Sequence, residues 1–196
     1  EMSASLVGSE MCIRDSLSSL FQSVTPRTAG FNTMDLTNIS GAGQAIIIVL
    51  MLIGGSPGST AGGMKTTTVA VLFATAIATF FRKEHTHFFG RRIDDNVVKN
   101  AATILLMYLV LFFFGGLVIS IVEGLPMYSC LFETASAVGT VGLSLGITPE
   151  LGVLSKMILI LLMFFGRVGG LTLIFAAVSG TQKQAAKLPK EKITVG

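Results

Sequence analysis

Residues 54–68 read GGSPGSTAGGMKTTT, with Gly58 and Gly63 separated by four residues and Lys65 and Thr66 close behind. Glycines followed by Lys and Thr can cradle phosphate, but that loop needs an adjacent Gly-Lys pair after a strand in a soluble domain. Met64 interrupts the pair here, and AIIIVLMLI (residues 45–53) and VAVLFATAIATFF (residues 69–81) flank it. The stretch is therefore read as a deliberate break in an apolar span. Its members are Gly54, Gly55, Ser56, Pro57, Gly58, Ser59, Thr60, Gly62 and Gly63. Lys65 is expected on the inner side of the break, near water.

A second pattern occurs twice. Shifting the chain by 112 residues places Thr28-Ala29-Gly30-Phe31-Asn32 on Thr140-Val141-Gly142-Leu143-Ser144. The same shift places Leu50-Met51 on Leu162-Met163, Gly54 on Gly166 and Gly58 on Gly170. Phe21 and Phe132, in the short helices before each T-x-G, match at a shift of 111. This is an internal repeat: short helix, T-x-G turn, then an inward span with glycines midway. A cation in hydrocarbon is costly, so a pathway must replace its water with oxygens. Glycine lets the backbone aim carbonyls inward, and the C-terminus of the preceding helix points negative dipole at the ion.

The remaining candidates are single residues. Arg167 lies near the middle of the apolar residues 151–178, where an unpaired guanidinium is expensive. It is expected to pair with a carboxylate or with loop carbonyls. Glu133, in the short helix, either tunes the potential near the second turn or makes an ordinary hydrogen bond. His85 and His87 make a conceivable metal pair but read as members of a solvated basic loop. Asp94 and Asp95 are expected to form salt bridges or cap the helix that follows. Lys156 is expected to snorkel outward.

The elements that position these residues follow from composition. The chain is 51% hydrophobic and only 13% charged, against about 25% charge in soluble domains, and its mean hydropathy is +0.75. Cys12 and Cys130 supply neither a disulfide framework nor metal spacing. No nucleophile–base pair or intramembrane aspartate pair points to an enzyme. The net charge of +3 sits in loops and does not suggest nucleic acid. Residues 1–16 resemble nothing downstream and read as a non-native leader on a piece of a longer protein.

A helix rises about 1.5 Å per residue and must cross about 30 Å of hydrocarbon. Residues 101–121 and 151–178 suffice for one crossing each. Residues 42–81 would make a rod of about 60 Å, so they must break, and the glycines mark the place. Arg82, Lys83, Arg91, Arg92 and Lys99 form one basic cluster, and Lys183, Lys187, Lys190 and Lys192 another. Both are expected on the cytoplasmic side. MYSCLFETASAV (residues 127–138) is too short to span and begins after Pro126, which suits a re-entrant helix dipping from outside.

On TPRTAGFNT (25–33), GGSPGSTAGGMKT (54–66), TASAVGTVGLS (134–144) and MFFGRVGGLT (163–172), the chain resembles the C-terminal half of a potassium-uptake subunit of the TrkH/KtrB superfamily. The tail LPKEKITVG (188–196) resembles KtrB-type subunits more. The resemblance implies an all-α integral membrane protein built from four M1–pore-helix–M2 units around one pore. Residues 17–96 would be most of the third unit and residues 97–196 the fourth. The two T-x-G segments would be filter strands for potassium, and the break, with Arg167, a flexible gate beneath them. It further implies potassium or sodium passage, sodium as a possible coupling ion, a bacterial or archaeal cell membrane and surrounding lipid. Homodimers seated on a cytoplasmic ring of nucleotide-binding regulatory subunits are the implied assembly.

Overall fold

The computed structural model describes residues 16–83, 86–88 and 91–168. The leader, His85, Gly170 and the tail lysines lie outside them. The fold is mostly helical. Helix α1 covers residues 16–24. Then come α2 (Gly41–Leu52), α3 (Thr66–Phe80), α4 (Asp95–Glu123), α5 (Met127–Val138) and α6 (Val153–Val168). A short antiparallel hairpin, His87–Phe88 with Arg91–Arg92, is set in the basic loop that reads as irregular in the sequence.

Helix α4 is bounded by its own side chains. Asp94 accepts a hydrogen bond from the Asn96 amide at 3.2 Å and caps the start. Gly124, at φ +67°, ends it in the left-handed conformation that glycine tolerates. Its 29 residues span about 43 Å. Among the described residues it is the one helix long and apolar enough to cross a membrane by itself.

Helix α5 is the centre of the packing. Pro126 stands at its N-cap, and Phe132, Thr134, Ala135 and Val138 are wholly buried. It packs against α2, α4 and α6. Twelve residues cannot span hydrocarbon, so such a helix needs protein on all sides. Small residues permit the approach. A side chain at Gly115 would press on Leu162 of α6, one at Gly116 on Leu131 of α5, and one at Gly166 would run into the Val138 carbonyl. Away from this core, Phe73, Phe80, Phe113, Phe114 and Ile121 form an exposed apolar exterior, as a lipid-facing or further-packed surface requires.

The long span does break. Helix α2 stops at Leu52 and α3 begins at Thr66. The loop between is pinched at its neck by a parallel bridge of Ile53 with Met64. The Met64 amide donates to the Leu52 carbonyl at 3.0 Å, and the Gly54 amide donates to the Met64 carbonyl at 2.8 Å. At the tip, the Ser59 amide donates to the Ser56 carbonyl at 3.1 Å, with Gly58 at φ +86°. Pro then Gly at the two central positions is the type II turn preference. The neck is buried, whereas residues 56–60 are exposed.

Candidate functional site: two T-x-G turns and the break beside them

Helix α5 ends in a Schellman arrangement. The Val141 amide donates to the Ser136 carbonyl at 2.9 Å, and the Thr140 amide donates to the Ala137 carbonyl at 3.0 Å. The left-handed residue is Thr140, at φ +51°, where glycine is usual. Helix α1 ends comparably: Thr28 has φ +65°, and the Ala29 and Gly30 amides both donate to the Thr25 carbonyl at 3.1 and 3.2 Å. Gly30 (φ +74°) and Gly142 (φ +95°) then take conformations that side chains resist. The two repeats thus share a left-handed Thr followed by a left-handed Gly two residues on.

The turns are 112 residues apart in sequence and meet in space. The Thr28 hydroxyl donates to the Gly139 carbonyl at 3.5 Å. A side chain on Gly30 would collide with the Val141 carbonyl. Around the second turn, Val141 and Leu143 are buried, whereas Gly142 is exposed with open space beside its Cα. Around the first, Ala29, Phe31 and Asn32 are exposed. The Ser136 hydroxyl accepts from the Gly142 amide at 3.1 Å, and the Thr25 hydroxyl donates to the Phe31 carbonyl at 2.6 Å. Each helix therefore holds its own turn through a hydroxyl.

The break touches this pair. A side chain on Gly62 would occupy the space of the Thr140 side chain, and one on Gly139 would strike the Met51 carbonyl at the end of α2. The Thr140 hydroxyl is buried and, among the described residues, lacks a hydrogen-bond partner. The loop is held by Lys65, whose ammonium donates to the Ala61 carbonyl at 2.7 Å and to the Ser59 carbonyl at 3.1 Å. Loop carbonyls were expected as partners of Arg167; here they go to Lys65.

Arg167 is exposed and lines a cavity of about 420 Å³ together with Ser136, Thr140, Val141, Gly142, Met163 and Phe164. It therefore shares one space with the second turn. Among the described residues no carboxylate pairs with it. The buried Tyr108 hydroxyl donates to the Gly166 carbonyl at 3.3 Å, which fixes the turn of α6 next to Arg167. Glu133 is buried and bonds to residues 144–148. Lys156 donates to the Pro149 carbonyl at 3.1 Å. Among the described residues, no cluster of three or more His, Cys, Asp or Glu could hold a metal ion.

The solved structure of the potassium transporter TrkH from Vibrio parahaemolyticus is similar to this one, with a TM-score of 0.69 and 25% identity. The likeness covers 81% of this chain and 36% of that one. Fold and likeness together define the class: a mostly helical chain folded like part of a potassium transporter. The TrkH family model, described as a cation transport protein, matches residues 5–186, and the chain belongs to that family. It is thereby a multi-pass protein of the bacterial cell membrane.

Curated relatives agree. The Ktr system potassium uptake protein B of Bacillus subtilis is 40% identical over 82 residues, 42% of this chain and 18% of that protein. The potassium/sodium uptake protein NtpJ of Enterococcus hirae is 40% identical over 86 residues, 41% of this chain and 19% of that protein. The chain thus matches less than a fifth of the length of these relatives.

Proposed function

We propose that this chain contributes two quarters of a gated potassium-uptake pore. Residues 17–96 act as the pore helix, filter, broken M2 and cytoplasmic loop of the third M1–pore-helix–M2 unit, and residues 97–196 as the fourth. The observation that carries the reading is the meeting of two T-x-G turns, each at the end of a short helix, with Gly62 of the break packed on Thr140. Thr28, Ala29, Gly30, Phe31 and Asn32 form one filter strand, and Thr140, Val141, Gly142, Leu143 and Ser144 the other. Their carbonyls replace the water of a passing potassium ion.

Gly54, Gly55, Ser56, Pro57, Gly58, Ser59, Thr60, Gly62 and Gly63 form the gate. The break closes the inner end of the filter while Lys65 holds its carbonyls. Arg167 adds positive charge to the cavity under the second strand and raises the barrier for cations in the closed state. Potassium is the cargo, with sodium as coupling ion.

A second reading within the same class is a sodium-selective or non-selective transporter, favoured by the printed substrates of the NtpJ relative. The name of the B. subtilis relative assigns it to a Ktr system, which supports a multi-component assembly here. We expect a homodimer on a cytoplasmic nucleotide-binding ring, reached through the basic hairpin at Arg91 and Arg92.

The test uses the full-length open reading frame that carries this sequence. Expressed in a bacterium lacking potassium uptake, it should restore growth at low potassium. Normal membrane insertion without rescue would sink the potassium reading, and rescue of sodium uptake alone would establish the second one.

A further inference from the structure

The residues that follow the second turn make no ladder or helix of their own. Residues 141–145 are irregular, and Gly142 and Gly146 stand at φ +95° and +92°. Such a segment must be held from outside. Glu133, one turn before the end of α5 and only 5% exposed, does this with both carboxylate oxygens. Its Oε1 accepts from the Ser144 hydroxyl at 2.5 Å and from the Leu145 amide at 3.1 Å. Its Oε2 accepts from the Thr148 hydroxyl at 2.8 Å. The two oxygens thus gather three donors at one point.

The other repeat supplies a contrast. At the shift of 111 that matches Phe21 with Phe132, Glu133 falls on Gln22. Gln22 is equally buried, but neither its Oε1 nor its Nε2 has a partner among the described residues. Leu36 stands where Thr148 would fall at a shift of 112, so the hydroxyl is missing too. Asn32, the match of Ser144, instead accepts from the Met34 amide at 3.3 Å within its own segment. Among the described residues the two turns are therefore held by different means, and the second alone is roped to its helix by a carboxyl side chain.

We propose that Glu133 is a positioning residue for the outer end of the second filter strand and sets how sharply that strand discriminates among alkali cations. The inference rests on the filter reading above. Releasing the rope frees three donors and lets the carbonyls of residues 142–144 spread, so sodium and potassium are solvated more alike.

The test measures rubidium uptake with sodium as competitor in the full-length protein, at matched membrane abundance. Glu133→Gln keeps an oxygen for Ser144 and Leu145 and an amide that can donate to the Thr148 oxygen. It should stay within about twofold of the parent. Glu133→Ala, and separately the double variant Ser144→Ala/Thr148→Val, should each lose about tenfold in discrimination, the scale of a lost hydrogen bond. Parental discrimination in the double variant overturns the inference, and this variant decides alone if Glu133→Ala fails to insert. A loss in Glu133→Gln as large as in Glu133→Ala overturns it as well, because charge and not tethering would then be the cause. A parent that moves no alkali cation refutes the proposed function instead.

Discussion

Replacing Gly62 with alanine adds one methyl group at the contact between the break and the second turn. An ideal Cβ there overlaps the Thr140 Oγ1 and lies 2.8 Å from its Cγ2 and 3.0 Å from its Cβ. Carbon atoms prefer about 3.5–4.0 Å, so the loop must withdraw by about 1 Å. Gly62 is not in the left-handed region, so alanine strains no backbone dihedral there. The penalty is overpacking, about 1–3 kcal/mol. It falls on the state in which the loop is seated on Thr140 and not on a state in which it has left. A two-state gate would then shift toward open by about 5- to 150-fold. Initial rubidium uptake in cells lacking any regulatory partner reads this directly. The maximal rate should rise several-fold, with the half-saturating concentration changed less. Unchanged or reduced flux at normal membrane abundance would refute the claim that the loop closes the pathway.

Lys65→Met removes both hydrogen bonds to the loop carbonyls, and uptake should rise by about 3- to 10-fold, whereas Lys65→Arg should stay near the parent. Gly142→Ser forces a side chain to φ +95°, costing about 1–3 kcal/mol. Competition assays should show reduced preference for potassium over sodium, and unchanged preference with unchanged flux would remove Gly142 from the filter. Gly166→Ala drives a methyl group into the Val138 carbonyl. A thermal-shift measurement in detergent should show a loss of about 1–3 kcal/mol in stability, with less protein recovered from the membrane.

Much of this architecture is legible in the residues because strong local rules act alone. Pro126 and the apolar residues after it announce α5, and Asp94 with Gly124 bracket α4. The length of residues 42–81 demands an interruption, and only the glycines permit it. The turns were harder. Threonine seldom adopts positive φ, so nothing local marks Thr28 and Thr140 as left-handed; the surrounding helix ends impose it.

The polar contacts were not legible at all in detail. Glu133 reaches residues eleven to fifteen positions ahead, and Tyr108 reaches the carbonyl of Gly166. Such pairs depend on how α4, α5 and α6 converge, and a carbonyl partner leaves no trace in sequence. Lys65 shows the same limit. Its charge next to a glycine-rich loop is visible, but its choice of the Ser59 and Ala61 carbonyls follows from the curvature of the loop.

The pinched neck of the break has a mechanical side. Three backbone hydrogen bonds, Met64 to Leu52, Gly54 to Met64 and Thr66 to Gly55, clip the ends of the ring together. Their net worth is about 1.5–4.5 kcal/mol. That is a fuse rather than a weld: thermal motion opens it rarely, whereas one good contact elsewhere can blow it. Helix α3 leaves directly from this clip and runs toward the basic hairpin. A tug of that helix from its hairpin end would therefore reach Gly62 and Thr140 through the clip, while the tip of the ring could ripple without disturbing either.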